Sequence, residues 1–367
     1  MKNTRRLAMV LGASSLVLGT VTIGVGAVTA TAATKFKACV VTDTGGINDH
    51  SFNASAWKGL QDAKKKDPKI SISYLSSTSS SDYAPNIKTF EGESCNIIIT
   101  VGFLMDAATA AAAEADPTQK FAIVDDNPLS EAKKSHELEA LQYQTNQAAF
   151  LGGYLDAAES KTGVVATYGG ENFSSVTMYE SGFVAGVRYY DMANKAKVKV
   201  LGFTPGKGAC TLVSCPGTGT FVGNFTDQTA GRQDTASFIA EGADIVFPVA
   251  GSVGLGSVAA VQQAGKGKYV TWVDSNGCVS DAQDCKYFNA TVAKGVEPSV
   301  ANAVESAYAG TFKGGSYIGT LKNNGTQLDI NSVAVSAKLR ASLASLTRGI
   351  ESGKISVNPN SYPATPS

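Results

Sequence analysis

The chain has 367 residues, 43% of them hydrophobic and 17% charged. At ~150 residues per domain this length calls for two lobes or two domains, and the apolar share excludes wholesale disorder. Lys plus Arg (31) balances Asp plus Glu (31), which excludes a basic field for nucleic acid, and just two histidines, His50 and His136, argue against a His-rich metal centre or a choice of catalytic bases.

The N-terminus reads as an export signal. Lys2, Arg5 and Arg6 precede an uncharged apolar run from Leu7 to Val28, and Ala30-Thr31-Ala32 supplies a small-x-small cleavage pattern. The signal is expected over 1–32. The run is also long enough for a transmembrane anchor, but it is rich in Gly, Ser and Thr and the cleavage pattern follows it directly. Arg5-Arg6 has the twin-arginine form, yet Ala8 sits where that signal has a large apolar residue. Cys39, preceded by Phe36-Lys37-Ala38, fits a lipoprotein processing site poorly. Removing the signal takes away three basic residues and no acid, so the remaining chain is mildly acidic.

Beyond it, strands are predicted over 38–42, 70–75, 96–101, 121–124, 163–167, 197–203, 245–249, 268–273 and 288–292. Amphipathic helices are predicted between them, among others over 51–66, 150–159 and 226–241. Continuous apolar strands alternating with helices predict parallel sheets covered on both faces, an α/β fold. Two such series, 38–145 and 146–273, each have the size of a doubly wound lobe. The later segments are shared out as about 275–320 to the first lobe and about 321–355 to the second, with crossings near 145, 274 and 320. The polar, proline-rich residues 356–367 are expected to be unstructured. Six cysteines in an exported chain favour disulfides. Short loops favour Cys210–Cys215 and Cys278–Cys285. Cys39 and Cys95 each open an apolar run, and they pair if those runs are neighbouring parallel strands.

In parallel α/β sheets, function sits at the carboxyl ends of the strands. After the first strand come Asp43, Thr44, Gly45, Gly46, Asn48, Asp49, His50, Ser51 and Phe52. This loop carries two acids and an aromatic at a helix start; its acids repel phosphate and no Lys follows the glycines. It reads equally well as a capped turn with Phe52 in the core. Later strand ends carry Asp125 and Asp126, then the glycine-rich Gly251-Ser252-Val253-Gly254-Leu255-Gly256, then Asp274, then Lys294. Each feature is ordinary alone, and their shared position is the informative point.

The run from Val41 to Leu60, with Asp43-Thr44-Gly45-Gly46-Ile47-Asn48-Asp49-His50-Ser51-Phe52-Asn53 at its centre, resembles the signature of the basic membrane protein (BMP/PnrA-like) family. Further matches are Val101-Gly102-Phe103, 121–125, 180–187 and Thr291-Val292-Ala293-Lys294. These are solute-binding proteins of ABC transporters. The resemblance spans roughly 38–355 and implies a type I periplasmic-binding fold, with two lobes and a ligand cleft between them. It implies a nucleoside ligand, most often a purine nucleoside, no cofactor, no catalysis, and a monomer that meets permease subunits at the membrane. It places Phe52 and Phe225 on opposite faces of the base, with Asp43, Thr44 and Asp49 nearby and Asp125 accepting from base nitrogens. Asp274 and Lys294 would hold the ribose hydroxyls, and Gly251 would let the backbone approach the sugar.

The chain departs from the family at Ala250-Gly251-Ser252-Val253-Gly254 and at Ser275-Asn276-Gly277-Cys278, where a cysteine-closed loop follows. The lipoprotein cysteine typical of relatives is missing. Alternatives are a sugar-binding protein, a nucleoside sensor of the same fold, and a secreted nucleoside-acting enzyme that would recruit Asp43 with Asp49.

Overall fold

The computed structural model describes residues 35–331 and 335–366; the expected export signal lies outside the described residues. In chain order the first elements are β1 (Lys37–Thr42), α1 (Phe52–Lys66), β2 (Ser71–Ser76), α2 (Tyr83–Gly92), β3 (Ile97–Val101), α3 (Asp106–Ala115), β4 (Lys120–Val124) and β5 (Leu138–Tyr143). There follow α4 (Thr145–Glu159), β6 (Val164–Gly169), α5 (Ser174–Asn194), β7 (Lys199–Leu201), β8 (Phe203–Pro205), β9 (Gly217–Gly219), α6 (Gln228–Ala240), β10 (Ile245–Val249), α7 (Gly254–Ala264) and β11 (Tyr269–Asp274). The last are α8 (Gly277–Ser280), β12 (Phe288–Lys294), α9 (Val296–Tyr308), β13 (Gly315–Gly319), β14 (Thr326–Ile330) and α10 (Ala337–Glu351).

They build two six-stranded sheets, in the orders β13-β5-β4-β3-β1-β2 and β14-β12-β11-β10-β6-β7. All neighbours run parallel except β14, which closes the second sheet antiparallel to β12. Strand side chains alternate between faces. On β1, Ala38 and Val40 therefore join Leu60 of α1 and Val300 of α9, while Cys39 and Val41 join Ile87 and Phe90 of α2. Both faces of each sheet are covered, which is why the strands read as unbroken apolar runs.

Three disulfides join Cys39 to Cys95, Cys210 to Cys215 and Cys278 to Cys285. The first is possible because β1 and β3 are parallel neighbours. It closes a 56-residue span, the kind of loop whose closure most restricts the unfolded chain.

The chain passes between the sheets three times, after β5, after β12 and between β13 and β14. The middle passage corrects the sequence reading, which gave 275–320 to the first lobe and put a crossing near 274. Residues 288–294 instead form a strand of the second sheet, fully buried, between β11 and β14. A parallel strand needs a crossover of about a dozen residues, and the disulfide-closed segment 275–287 supplies it without a long helix. Similarly, 197–203 divides into β7 and β8 at Gly202 (φ +87°).

The passages lie against one another backbone to backbone. Gln144 N–H donates to Gly319 O, and Gly295 N–H donates to Gly325 O. A Cβ on Gly325 would lie 2.1 Å from the Gly319 Cα, so this hinge tolerates only glycine there.

The chain end also departs from expectation. Residues 356–366 pack on α5: Arg188 Nη1 donates to Pro359 O (2.9 Å), and the Tyr362 ring meets Tyr189 edge to face at 5.4 Å. Polar and proline-rich composition favours disorder only where no apolar anchor exists, and Tyr362 is that anchor. Among the described residues no helix is long and apolar enough to cross a membrane.

Candidate functional site

The carboxyl ends of the two sheets face each other across a cleft. All nine expected ligand residues (Asp43, Thr44, Asp49, Phe52, Asp125, Phe225, Gly251, Asp274 and Lys294) line one pocket there. From the first sheet, the loop after β1 brings Asp43 and Thr44, the start of α1 brings Phe52, and the end of β4 brings Asp125. From the second come Phe225, Gly251, Asp274 at the end of β11 and Lys294 at the end of β12.

Asp125 and Asp274 hold equivalent places, each where a strand stops, and both are left-handed (φ +70° and +64°). That conformation strains a residue with a side chain and persists where the surroundings over-determine it. Lys294 is the over-determining group. Its Nζ lies 2.5 Å from Asp125 Oδ2 and 3.4 Å from Asp274 Oδ1, joining a carboxylate of each sheet, and all three side chains are at most 10% exposed. Burial works against the Lys294 ammonium, but the two carboxylates outweigh it and hold the group above its ordinary value. The same ammonium sits 4.7 Å from the Phe52 ring centroid and 5.1 Å from that of Tyr179. A cation held over aromatic faces is further stabilised by the ring quadrupoles. Burial raises the Asp125 carboxyl, with Lys294 opposing the rise.

Asp274 is the most heavily bonded member. Tyr179 Oη donates to its Oδ1 (2.9 Å), and Ser51 Oγ, from the other sheet, donates to its Oδ2 (2.8 Å). Ser51 belongs to a larger clasp. The neighbouring His50 donates from Nδ1 to Ser280 O (2.6 Å), and its own carbonyl accepts from Ser275 Oγ (2.8 Å) and Trp272 Nε1 (3.3 Å). His50 is left-handed as well (φ +56°). Its ring partner lies beside Cys278, in the segment that the Cys278–Cys285 disulfide closes.

The two acids of the first loop separate in role. Asp49 directs both oxygens to the start of α1, accepting from the N–H groups of Ser51 (3.0 Å), Asn53 (2.8 Å) and Ala54 (2.9 Å). It satisfies the helix's orphan donors and meets the positive end of its dipole, so its hydrogen-bonding capacity goes to the helix. Burial still pushes it up to about 6. Asp43 accepts one bond, from Asn53 Nδ2 (2.9 Å), and its other oxygen lies where a Cβ on Gly102 (φ +107°) would be 2.3 Å away. Burial lifts Asp43 to about 8, against the pull of Asn53 and with help from Asp49 and Asp125. At neutral pH it therefore both donates and accepts.

Phe225 enters from the loop before α6 and lies over Gly170, where a Cβ would come within 2.4 Å of the ring; Gly251 (φ +57°) borders it. Sequence reasoning missed a second aromatic feature. Phe103, after β3, stacks on Phe173, before α5, with centroids 4.7 Å apart and planes 25° from parallel. The pair joins the two lobes at the pocket edge. Phe103 falls inside a matched segment, but nothing in the sequence pairs it with a residue 70 positions on. Tyr179 and Asn53 were missed too, although Tyr179 adjoins the matched segment 180–187 and Asn53 lies inside the matched run 41–60.

Two α/β lobes with three chain passages and a polar, aromatic-lined pocket at the facing strand ends define a solute-binding protein of the type I periplasmic class. Solved structures of this fold are similar throughout. An ABC transporter solute-binding protein from Aeropyrum pernix superposes with a TM-score of 0.74 at 20% identity, covering 88% of this chain and 92% of that one. One from Conexibacter woesei gives 0.63 at 19%, covering 88% and 98%. The chain belongs to the family described as ABC transporter substrate-binding protein PnrA-like, which matches over residues 36–207 and 219–359. A relative named ABC transporter nucleoside-binding protein BmpA, from Lactococcus lactis subsp. cremoris, is 28% identical over 340 residues, 88% of this chain and 89% of that protein.

Proposed function

We propose that the protein is an extracytoplasmic binder of purine nucleosides that closes its two lobes on the ligand and delivers it to a membrane permease. The observation that carries this reading is the single pocket in which Phe52 and Phe225 come from opposite lobes beside the Asp125–Lys294–Asp274 array. Two rings suit a base, whose polarisable faces accept stacking. A carboxylate accepts from two hydroxyls while an ammonium donates back, which suits a ribose. Asp49, Asp125 and Asp274 outnumber the one Lys294 ammonium and oppose a phosphate, so the uncharged nucleoside is favoured over the nucleotide. The nucleoside-binding relative from Lactococcus supports the same ligand class.

Calorimetry on the purified protein with adenosine, guanosine, inosine, AMP and ribose tests the reading. Nucleosides bind and AMP does not; binding of ribose without any nucleoside would overturn it. Phe225→Ala is expected to weaken nucleoside binding by ~1–3 kcal/mol through lost stacking, and unchanged affinity in that titration would remove Phe225 from the base site.

The lobe-to-lobe bonds of His50 and Ser51 give closure its own contacts, and interface contacts act mainly on dissociation. His50→Ala is expected to speed nucleoside release by roughly tenfold, as expected for the loss of a buried bond. Stopped-flow measurements should show this factor to be the same for adenosine and inosine, because His50 reads no part of the ligand. A factor that differed between them would make His50 a ligand contact instead.

A further inference from the structure

We propose that a second groove, beside the chain passages and behind the nucleoside pocket, binds a neutral oligosaccharide that bridges the two lobes. The groove has a volume of about 790 Å³, within the range of small-ligand sites. One wall belongs to the first lobe: Asn48, His50 and, on α1, Trp57, Lys58 and Gln61. The other belongs to the second lobe, with Ser275, Val279, Ser280 and Gln327, and Asn324 of the passage before β14 also lines it. Asp274 and Lys294 line this groove and the nucleoside pocket alike, so they form the partition between the two. The His50–Ser280 bond joins the two walls.

Ser280 Oγ is buried there with no hydrogen-bond partner. A buried polar atom left unpaired calls for an explanation, and a ligand hydroxyl, which both donates and accepts, supplies one. The exposed side-chain amides of Asn48, Gln61 and Asn324 are likewise uncommitted among the described residues. The charged groups, by contrast, are engaged. Lys58 pairs with Glu297 (3.3 Å) and Lys294 with Asp274 (3.4 Å), while Asp329 accepts from Asn276 Nδ2 (3.0 Å) and Gln327 Nε2 (2.9 Å). An ionic ligand therefore finds no free counter-ion, and a neutral one with many hydroxyls finds partners. Trp57 supplies the apolar element. Its half-buried ring is braced by Tyr74, with centroids 5.0 Å apart and planes at 61°. The negative face of an aromatic ring attracts the weakly positive C–H groups on the flat side of a sugar. A carbohydrate presents both features together, a C–H face for Trp57 and a rim of hydroxyls for Ser280 and the amides. Because the sugar touches both lobes in the closed arrangement, it favours the same state as the nucleoside, and linkage makes each ligand tighten the other by one factor.

Calorimetry on the purified protein with cellotriose, maltotriose and triacetylchitotriose, at concentrations up to about 10 mM, tests the site. At least one should bind. Trp57→Ala should weaken that sugar by about tenfold or more, the scale of a truncated tryptophan anchor, and leave adenosine affinity without sugar unchanged. Ser280→Ala should weaken the same sugar by about three- to tenfold, and it decides the matter should Trp57→Ala fail to fold. In the wild type, saturating sugar should tighten adenosine by about fivefold or more. Cosedimentation with insoluble cellulose or chitin then tells a surface-bound glycan from a free sugar as the source. Binding of none of the three sugars overturns the proposal, as does binding that survives both substitutions. Sugar binding lost in Phe225→Ala but kept in Trp57→Ala overturns it too, by placing the sugar in the nucleoside pocket. Sugar and adenosine binding independently of each other overturns the bridging of the lobes. Failure of adenosine to bind is a separate result: it overturns the nucleoside reading, while the sugar titrations on the two variants still decide this one.

Discussion

Lys294→Met is expected to lower folding stability by about 3–5 kcal/mol at neutral pH, the loss typical when one partner of a buried ion pair is removed. Methionine fills much of the same space, so cavity formation contributes little. What remains is the Asp125 and Asp274 carboxyls, each at most 10% exposed, with the ammonium between them gone. The pH dependence follows from sign. The Asp125 carboxyl is already raised by burial, and Lys294 is the group that holds it down. Without Lys294 its folded-state value rises further above the unfolded one. A carboxyl raised in the folded state destabilises once pH exceeds the unfolded value, and this penalty vanishes as pH falls and the group takes up its proton. Urea unfolding of wild type and variant at pH 7 and pH 5 should therefore show a smaller difference at pH 5. A difference that is constant, or larger at pH 5, would show that the Lys294 ammonium is not what neutralises these carboxyls.

Asp274→Ala is the second large effect, on binding. It removes the acceptor of Tyr179 and Ser51 and one of the two partners of Lys294. Truncating one member of a buried, hydrogen-bonded charge pair at a binding interface costs about 2–5 kcal/mol. Part of that loss acts through closure, because Ser51 and Asp274 come from different lobes, and this part affects every ligand alike. The rest acts on the sugar. Adenosine should thus lose at least about tenfold more affinity than adenine does, when both are titrated calorimetrically into wild type and variant. Equal losses would remove Asp274 from the sugar side and leave it as a closure residue.

These two residues also mark how far the site was legible before folding. Asp125, Asp274 and Lys294 stand out in the sequence because each ends an apolar run, and parallel sheets place ligands at strand ends. Asp49 stands out as the second acid of the loop after the first strand, yet its oxygens cap α1, a use that spacing allowed as the ordinary alternative. Phe103 and Phe173 were not legible as a pair, since two separate loops bring them together.

The sequence by itself determined the local structure and its chemistry. Apolar runs of four to seven residues separated by amphipathic stretches admit only strands buried on both faces with helices between. Cysteines at the ends of short loops favour each other, and acids at strand ends favour a polar ligand. These are properties of neighbours in the chain, and they survive without knowledge of the fold. Tertiary structure alone decided where β12 belongs, that Tyr362 anchors the chain end on α5, and that Lys294 closes on Asp125 from 169 residues away and on Asp274 from the neighbouring strand. The reason is that a buried charge selects its partners by distance and desolvation, and both exist only after the two sheets have met.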